Sequence, residues 1–345
     1  MAFQVSPGVL VQERDLTRII PAVSTSIGAV AGSFNKGPLD EIVSISSEQE
    51  LVETFGKPDS SNFEYFFSAA NFLQYSNSLR VVRATQTSAV NASTSGTGVL
   101  VKNTEDWQNN YASGGNAGNA DFVAREAGTD GNNLLVSTCP SAAAFEEEGK
   151  TTLNDSSTSV GDTTVTFTSG TGINVGDIIA FSTTAATDDY DDGEQYRVTG
   201  VSTNDITFVQ HPRGSGGLKR TLTDGCNIRR RWRYYDAVDG APGTSAWTSD
   251  RSGSGDEIHV VVVDEDGGIS GAPGTILETY SKVSKASDAK DPQGNDNYYP
   301  NVIYTKSQYI YWTKHNSSGS NWGNAASGTT FTSVTAPTSD SMSGG

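Results

Sequence analysis

The chain has 345 residues, a net charge of −17 from 40 acidic against 23 basic side chains, and 35% hydrophobic residues beside 37 glycines. That length exceeds one small core, and 13 Phe, 13 Tyr and 5 Trp exclude a chain disordered throughout. The negative balance repels phosphate and argues against a primary role on nucleic acid, and no apolar run approaches the roughly 18–20 residues of a membrane span. Two cysteines, Cys139 and Cys226, make no disulfide framework and suit a reducing compartment. The opening Met1 to Gly8 lacks the basic and apolar regions of a secretory signal.

In chain order, the first twenty-odd residues read as a separate segment. Pro7 and Gly8 precede the short run Val9-Leu10-Val11, followed by Gln12 and Glu13. Proline removes a ladder donor, so this piece suits an edge strand or an arm. Ile27 to Phe34 reads as a buried strand with small residues where other backbone comes close, and Glu41 to Ile45 alternates as a second strand. Two helices follow. Ser47 and Glu50 fit a capping box before Leu51, Val52 and Phe55, with Gly56 at the C-terminal cap. Ser61 and Glu64 fit the same pattern before Phe63, Phe66, Phe67, Ala70 and Leu73, in a helix predicted to end near Asn77. Leu79 to Ala84 has strand composition, completing a compact α/β unit.

Residues 86–120, rich in Ser, Thr, Asn and Gly, read as loop or weak β structure, and Phe122 to Arg125 and Leu134 to Ser137 as strands. Between 150 and 210 there is no helix signal. Thr163–Phe167, Ile178–Phe181, Tyr196–Val201 and Ile206–Val209 are strand-like runs separated by turns such as Val175-Gly176-Asp177 and Thr203-Asn204-Asp205. That is the rhythm of a small SH3-like barrel. Ile258 to Val263 reads as a fully buried strand, Ile276 to Ala286 as a helix, and the last thirty residues as a Ser/Thr/Gly-rich stretch without a closing element.

No constellation for catalysis emerges, so no catalytic residue is assigned. His211, His259 and His315 lie far apart with no second ligand at metal spacing, so no metal or cofactor is expected, and His259 reads as a packed core residue. The run Asp188 to Glu194 invites calcium, but Tyr190 and Thr199 fall on the third and twelfth positions of the EF-hand register. An acidic turn explains it more simply, with a cation left as the alternative. The same holds for Asp264 to Gly268. In a strand, Arg229, Arg231 and Arg233 share one face, opposite Arg230 and Trp232. At −17 overall, an exposed strand pairing with carboxylates is the better reading than RNA binding. Cys139 and Cys226 flank the barrel-like region and read as reduced packing residues.

Several strings are more specific than composition. Ser6-Pro7-Gly8-Val9, Gly32-x-Phe34-x-x-Gly37-Pro38, Leu51-Val52-x-x-Phe55-Gly56-x-Pro58, and Phe72-Leu73-x-Tyr75 through Leu79–Ala84 resemble the N-terminal part of contractile-tail sheath proteins of T-even-type, cyanophage-like myoviruses. Phe122–Arg125 with Gly128, Gly131-Asn132 and Leu134, and Val260 to Gly268 with Gly271 and Leu277-Glu278, are similar to later blocks of that family. The terminal Ser343-Gly344-Gly345 resembles the opening of a Gly-Gly motif leading into the family's C-terminal half, so the resemblance implies a chain without that half.

Residue patterns and resemblance together give an expected α+β, β-rich, multi-domain subunit: an arm at 1–22, an α/β unit at 23–90 and a mixed sheath domain at 91–149 and 223–315, with an inserted barrel-like module at 150–222 and a flexible segment at 316–345 that lie outside the resemblance. The resemblance also implies a non-enzymatic structural protein of the virion tail, assembled in the host cytoplasm. Such a subunit polymerises around the tail tube and contracts to drive the tube through the host envelope. Pro7, Gly8, Val9, Leu10, Val11, Gln12 and Glu13 would form an inter-subunit arm. Partners would be copies of itself and, through the C-terminal region, the tail tube protein and baseplate, with no direct nucleic acid and no membrane insertion. The rival is a host-recognition or carbohydrate-binding tail protein, suggested by the Asp- and Tyr-bearing 150–222 region.

Overall fold

The computed structural model describes residues 27–85, 88–115, 117–331 and 334–345. The candidate arm, Pro7 to Glu13, lies outside these residues. Among the described residues the architecture is β-rich α+β, with four sheets.

The first unit contains β1 (Gly28–Ser33), β2 (Val43–Ile45), α1 (Glu48–Phe55), α2 (Phe63–Leu73) and β3 (Leu79–Ala84). Its sheet order is β1-β3-β2, with β1 parallel and β2 antiparallel to the central strand. Ser47 caps α1 by accepting from the Glu50 backbone N–H at 3.2 Å, while the Glu50 carboxylate reaches back one residue further, to the N–H and hydroxyl of Ser46. Gly56, at φ 86°, closes the helix. The start of α2 differs from the expected capping box. Asn62 is the cap residue without a side-chain cap bond, and the Ser61 hydroxyl donates to Asp59. The Asp59 carboxylate also receives the backbone N–H groups of Ser61 and Asn62, while the Asn62 side-chain oxygen accepts from the Asp59 N–H. β1 is buried on one face only, and what crosses its glycines is aromatic side chain: a Cβ on Gly28 would meet Phe72, and one on Gly32 would meet Tyr65, both at 2.5 Å.

Next come β4 (Asn91–Ser93), α3 (Thr104–Asn110), β5 (Phe122–Ala127), β6 (Leu134–Cys139) and the single turn α4 (Ala142–Phe145). α3 lies where loop was expected, capped by the Asn103 side chain and held through buried Trp107. The chain then builds one six-stranded sheet from β7 (Glu146–Thr152), β8 (Thr164–Thr166), β9 (Ile178–Ala185), β10 (Tyr190–Ser202), β11 (Asp205–His211) and β12 (Cys226–Arg231). Its order is β7-β12-β9-β10-β11-β8. The two outer strands also meet. Leu153 and Phe167 form an antiparallel bridge, the Asn154 N–H donates to the Thr166 carbonyl at 2.9 Å, and the Thr168 N–H donates to the Thr152 carbonyl at 2.8 Å.

The last stretch holds the single turn α5 (Ala246–Ser249), β13 (Glu257–Asp264), β14 (Thr275–Ser284), α6 (Tyr299–Lys306), β15 (Ile310–Trp312) and β16 (Thr338–Ser341). β13 is buried almost throughout, as expected, at the middle of the sheet β14-β13-β6-β16. The expected helix at 276–286 is instead strand β14. The Asp264 carboxylate accepts from the N–H groups of Gly267, Ile269 and Ser270, making an acidic turn that returns the chain antiparallel to β13. β15 pairs with β5, and β5 with β4.

Residues 316–345 are not the loose segment expected. β16 pairs with β6, Ser343 bridges to Ser93, and the Gly345 N–H donates to the Asn132 side chain at 3.0 Å. Trp322, Ala326, Phe331 and Met342 enter the same core as Trp107, Val260 and Trp312. Burying those apolar side chains outweighs the chain entropy that the Ser/Gly composition favours.

Candidate functional site

The acidic run and the basic cluster, read separately in the sequence, are one structure. β12 lies beside β9, and β9 beside β10, so residues almost forty positions apart face each other. Arg229 and Arg231 share a face, as alternation predicts, and both bond Asp192 and pair with Glu146. Their guanidinium groups also lie over the rings of Tyr190 and Tyr235, at 4.9 and 5.4 Å. Hydrogen bonds and charge from the two arginines hold the Asp192 carboxyl below its ordinary range. Arg220 pairs with Glu194 at 2.7 Å, and Asp188 accepts from Tyr190 and Asn227. The strand is not exposed as expected. Arg229 is buried, and Arg230 is fully enclosed, donating to the carbonyls of Ala143 and Ala144. Carboxylates already engaged this way are ion-pair partners, and the sequence alternative of a cation there has no support from the geometry.

A second arginine joins two units. Arg83 projects from β3 into the turn after β1, is 6% exposed, and donates to the carbonyls of Phe34, Asn35 and Gly37 and, across the junction, to Ala127 at the end of β5. A cleft of about 550 Å³ opens beside it, lined by Lys36, Lys57, Glu126 and Tyr309. Burial pushes the Glu126 carboxyl up, against the opposing Gly37 N–H, Lys36 and Arg83. Nothing in composition signalled a buried guanidinium here.

His259 is the core residue expected. It is fully buried, with Nε2 3.0 Å from the Gly240 carbonyl and Nδ1 accepting the Lys282 N–H at 2.9 Å, and it stacks at 11° on Trp232. Burial pushes its pKa down to about 4. His315 lies 2.6 Å from the Tyr299 hydroxyl inside an aromatic cluster with Trp312 and Trp322, and burial takes it to about 4 as well. Cys139 and Cys226 are free and buried, their thiols pushed up to about 12 and about 11 by burial. Among the described residues, no group of three or more His, Cys, Asp or Glu is placed to hold a metal ion.

The first unit leaves large apolar side chains uncovered: Ile42, Phe63, Phe67 and Tyr75 are 62%, 48%, 50% and 90% exposed. Residues 25–84 match the family described as the tail sheath protein Gp18 domain III N-terminal region. The tail sheath protein of Enterobacteria phage T4 is 46% identical over 79 residues, and that of Vibrio phage KVP40 40% over 78, each match taking in 23% of this chain and 12% of the relative. The tail sheath protein of Salmonella phage ViI is 25% identical over 343 residues, covering 90% of this chain and 49% of that protein. The chain is a homologue of phage tail sheath proteins. It spans at most about half the length of the relatives it matches. The segment matched by the sheath family is the first unit, from just before β1 to the end of β3. The expected resemblance is therefore borne out over that unit and, more distantly, along 90% of this chain.

Proposed function

We propose that the protein is a structural, non-enzymatic subunit of a contractile phage tail sheath, located in the virion tail, that polymerises around the tail tube and contracts to drive the tube through the host envelope. The observation that carries this reading is the alignment of 90% of the chain with one tail sheath protein, joined to the sheath family match over residues 25–84. The exposed Ile42, Phe63, Phe67 and Tyr75 support it, because large apolar side chains left uncovered on one unit offer surface for another molecule to cover. Residues 1–22, with Pro7 to Glu13, are the inter-subunit arm, docking on a neighbour by strand addition. At about 25 cal/mol per Å², a few hundred Å² of extra burial per subunit in the contracted lattice yields roughly 5–10 kcal/mol before costs, summed over many subunits.

Residues 150–222 are an inserted, closed barrel-like module within this subunit. Support comes from the contacts between its outer strands and from a cluster drawn wholly from Leu153 to Ile228, around Phe167, Phe181, Tyr196 and Phe208. β7 and β12, which carry the chain in and out, are hydrogen-bonded neighbours, so the ends of the insertion are adjacent. Electron microscopy of the purified protein in its longest natural form tests the assignment. Tubular polymers are expected. Discrete monomers or trimers that bind host glycans would overturn it in favour of a host-recognition protein.

A further inference from the structure

A cleft of about 410 Å³ lies on the seam between the six-stranded sheet and the β13–β14 hairpin. Arg197 and His211 line it from one side, Arg233 and Tyr234 from just past β12, and Pro273 and Ile276 from the hairpin. Among the described arginines, Arg80, Arg197, Arg213 and Arg233 have no hydrogen-bond or ion-pair partner, and of these Arg197 and Arg233 line this cleft. Arg83, Arg125, Arg220, Arg229, Arg230, Arg231 and Arg251 all hold carboxylate or carbonyl partners. Arg197 and Arg233 make no ion pair or hydrogen bond among the described residues; Arg233 lies over the ring of Tyr234, 5.3 Å away, and acts at longer range on the buried Asp177 carboxylate. In a chain of net charge −17, two guanidinium groups against the single carboxylate of Glu265 leave this lining positive by formal charge. A second observation is independent of charge. Tyr234 is 6% exposed, and its enclosed hydroxyl has no hydrogen-bond partner. Buried polar groups in folded proteins are ordinarily satisfied, so this hydroxyl is a donor held in reserve behind the cleft wall.

We propose that this cleft binds a carboxylate, held by Arg197 and Arg233, with the rest of the ligand against Pro273 and Ile276. Planar guanidinium groups match a carboxylate's two oxygens. A singly charged anion suits the site better than a doubly charged phosphate, because Glu265 already lines the cleft and Asp236 lies close enough to act on His211. The Glu265 carboxylate accepts from the Ser341 hydroxyl at 2.9 Å and forms no ion pair with either arginine. The carboxylate comes either from a small organic acid or from an acidic side chain of a second copy. Neither source depends on the sheath reading.

The test is titration of the protein with sodium acetate and sodium glucuronate at constant ionic strength, with chloride as control, followed by calorimetry and by the ring signals of His211. Burial and Arg197 hold the His211 pKa down while Asp236 raises it. A bound carboxylate adds a negative neighbour, so saturable binding with a rise in that pKa is expected. Arg197 is exposed, so Arg197→Met leaves the fold intact and should weaken binding at least tenfold, with Arg197→Lys intermediate and Arg233→Met equivalent to Arg197→Met. If a second copy supplies the carboxylate, glucuronate and Arg197→Met should each also reduce self-association in sedimentation. Failure of either acid to saturate, or binding undiminished in Arg197→Met, overturns the proposal. Tube formation in the microscope is a separate readout, so loss of this site and loss of the sheath assignment are distinguishable.

Discussion

The first unit, residues 27–85, and the six-stranded sheet, residues 146–231, each bury a small core but finish their surfaces in opposite ways. Around Leu51, Phe55 and Phe66 the first unit packs two helices on one side of a three-stranded sheet and leaves Phe63, Phe67 and Tyr75 uncovered. The six-stranded sheet exposes only valines among its large apolar residues (Val160, Val175 and Val201), joins its outer strands, and pairs Arg220, Arg229 and Arg231 with its own carboxylates. Unpaired strand edges and apolar patches invite association, whereas closure and internal ion pairing discourage it. The proposed assembly role of the first unit rests on this difference.

The largest effect that would break this comparison is at Phe181, which is 2% exposed among Phe167, Tyr196 and Phe208. Phe181→Ala should cost about 3–5 kcal/mol. Hydrogen-exchange protection should fall across 153–228 and stay unchanged in 27–85, and loss of protection in both would show that the two cores are one. Arg83→Ala comes next, at about 2–4 kcal/mol, because it strands four carbonyls that one buried guanidinium satisfies. Here protection should fall at the junction between β3 and β5, and unfolding in denaturant should split into two transitions. A single unshifted transition would remove Arg83 as the link.

What the sequence showed of these regions follows from how local each signal is. Ser47, Glu50 and Gly56 mark α1 because a cap is a contact within one helical turn, and Gly176, at φ 98°, and Thr203, at φ 55°, sit in turns between strands. The Ser61 reading failed because Asp59, two residues earlier, captures that hydroxyl. α3 and α6 escaped notice. In α3 only Trp107 is buried, and α6 opens at Tyr299-Pro300 with little periodicity. The stretch Ile276 to Ala286 reads as a helix by itself, yet β14 is a strand because its partner β13 decides its conformation. The pairing of Arg229 and Arg231 with Asp192 depends on strand order, and the Arg83 clamp on a junction between units, so neither had a local signature. The candidate arm, Pro7 to Glu13, remains a reading of the sequence.

A smaller effect sharpens the junction between the six-stranded sheet and β13, where His259 stacks on Trp232. Its pKa is near 4 in the fold, against about 6.5 in an unfolded chain, so the unfolded chain takes up a proton that the folded chain refuses. Its contribution is present in full above about pH 6.5 and is lost as pH falls toward 4. Asp121 and Asp177, both pushed up to about 6 by burial, act in the opposite sense over that window, since the fold holds their protons more tightly. The net slope of the intact protein is therefore muted, and the variant difference is the informative quantity. His259→Gln should narrow its stability gap to the parent by about 1 kcal/mol per unit as pH drops from 6 to 4.5. A gap independent of pH would show that His259 is protonated inside the fold.

The smallest expected change in stability belongs to Tyr75, and it bears most directly on the contrast between the two surfaces. The residue follows α2, and its backbone N–H donates to Phe72, so its local conformation is fixed by the helix end and not by its ring. With the side chain 90% exposed, Tyr75→Ser removes almost no buried area and should move stability by no more than about 0.5 kcal/mol. If the uncovered face is where another copy sits, the same substitution should slow or abolish polymer formation, and pairing it with Phe67→Ser should deepen that loss. Val201→Ser, at an exposed valine of the six-stranded sheet, is the control that should leave both stability and assembly nearly unchanged. Light scattering reads assembly, and denaturant titration reads the fold. Equal assembly by the Tyr75 and Val201 variants would mean that the aromatic surface of the first unit is exposed without being used, and the division of labour between the two regions would fall with it.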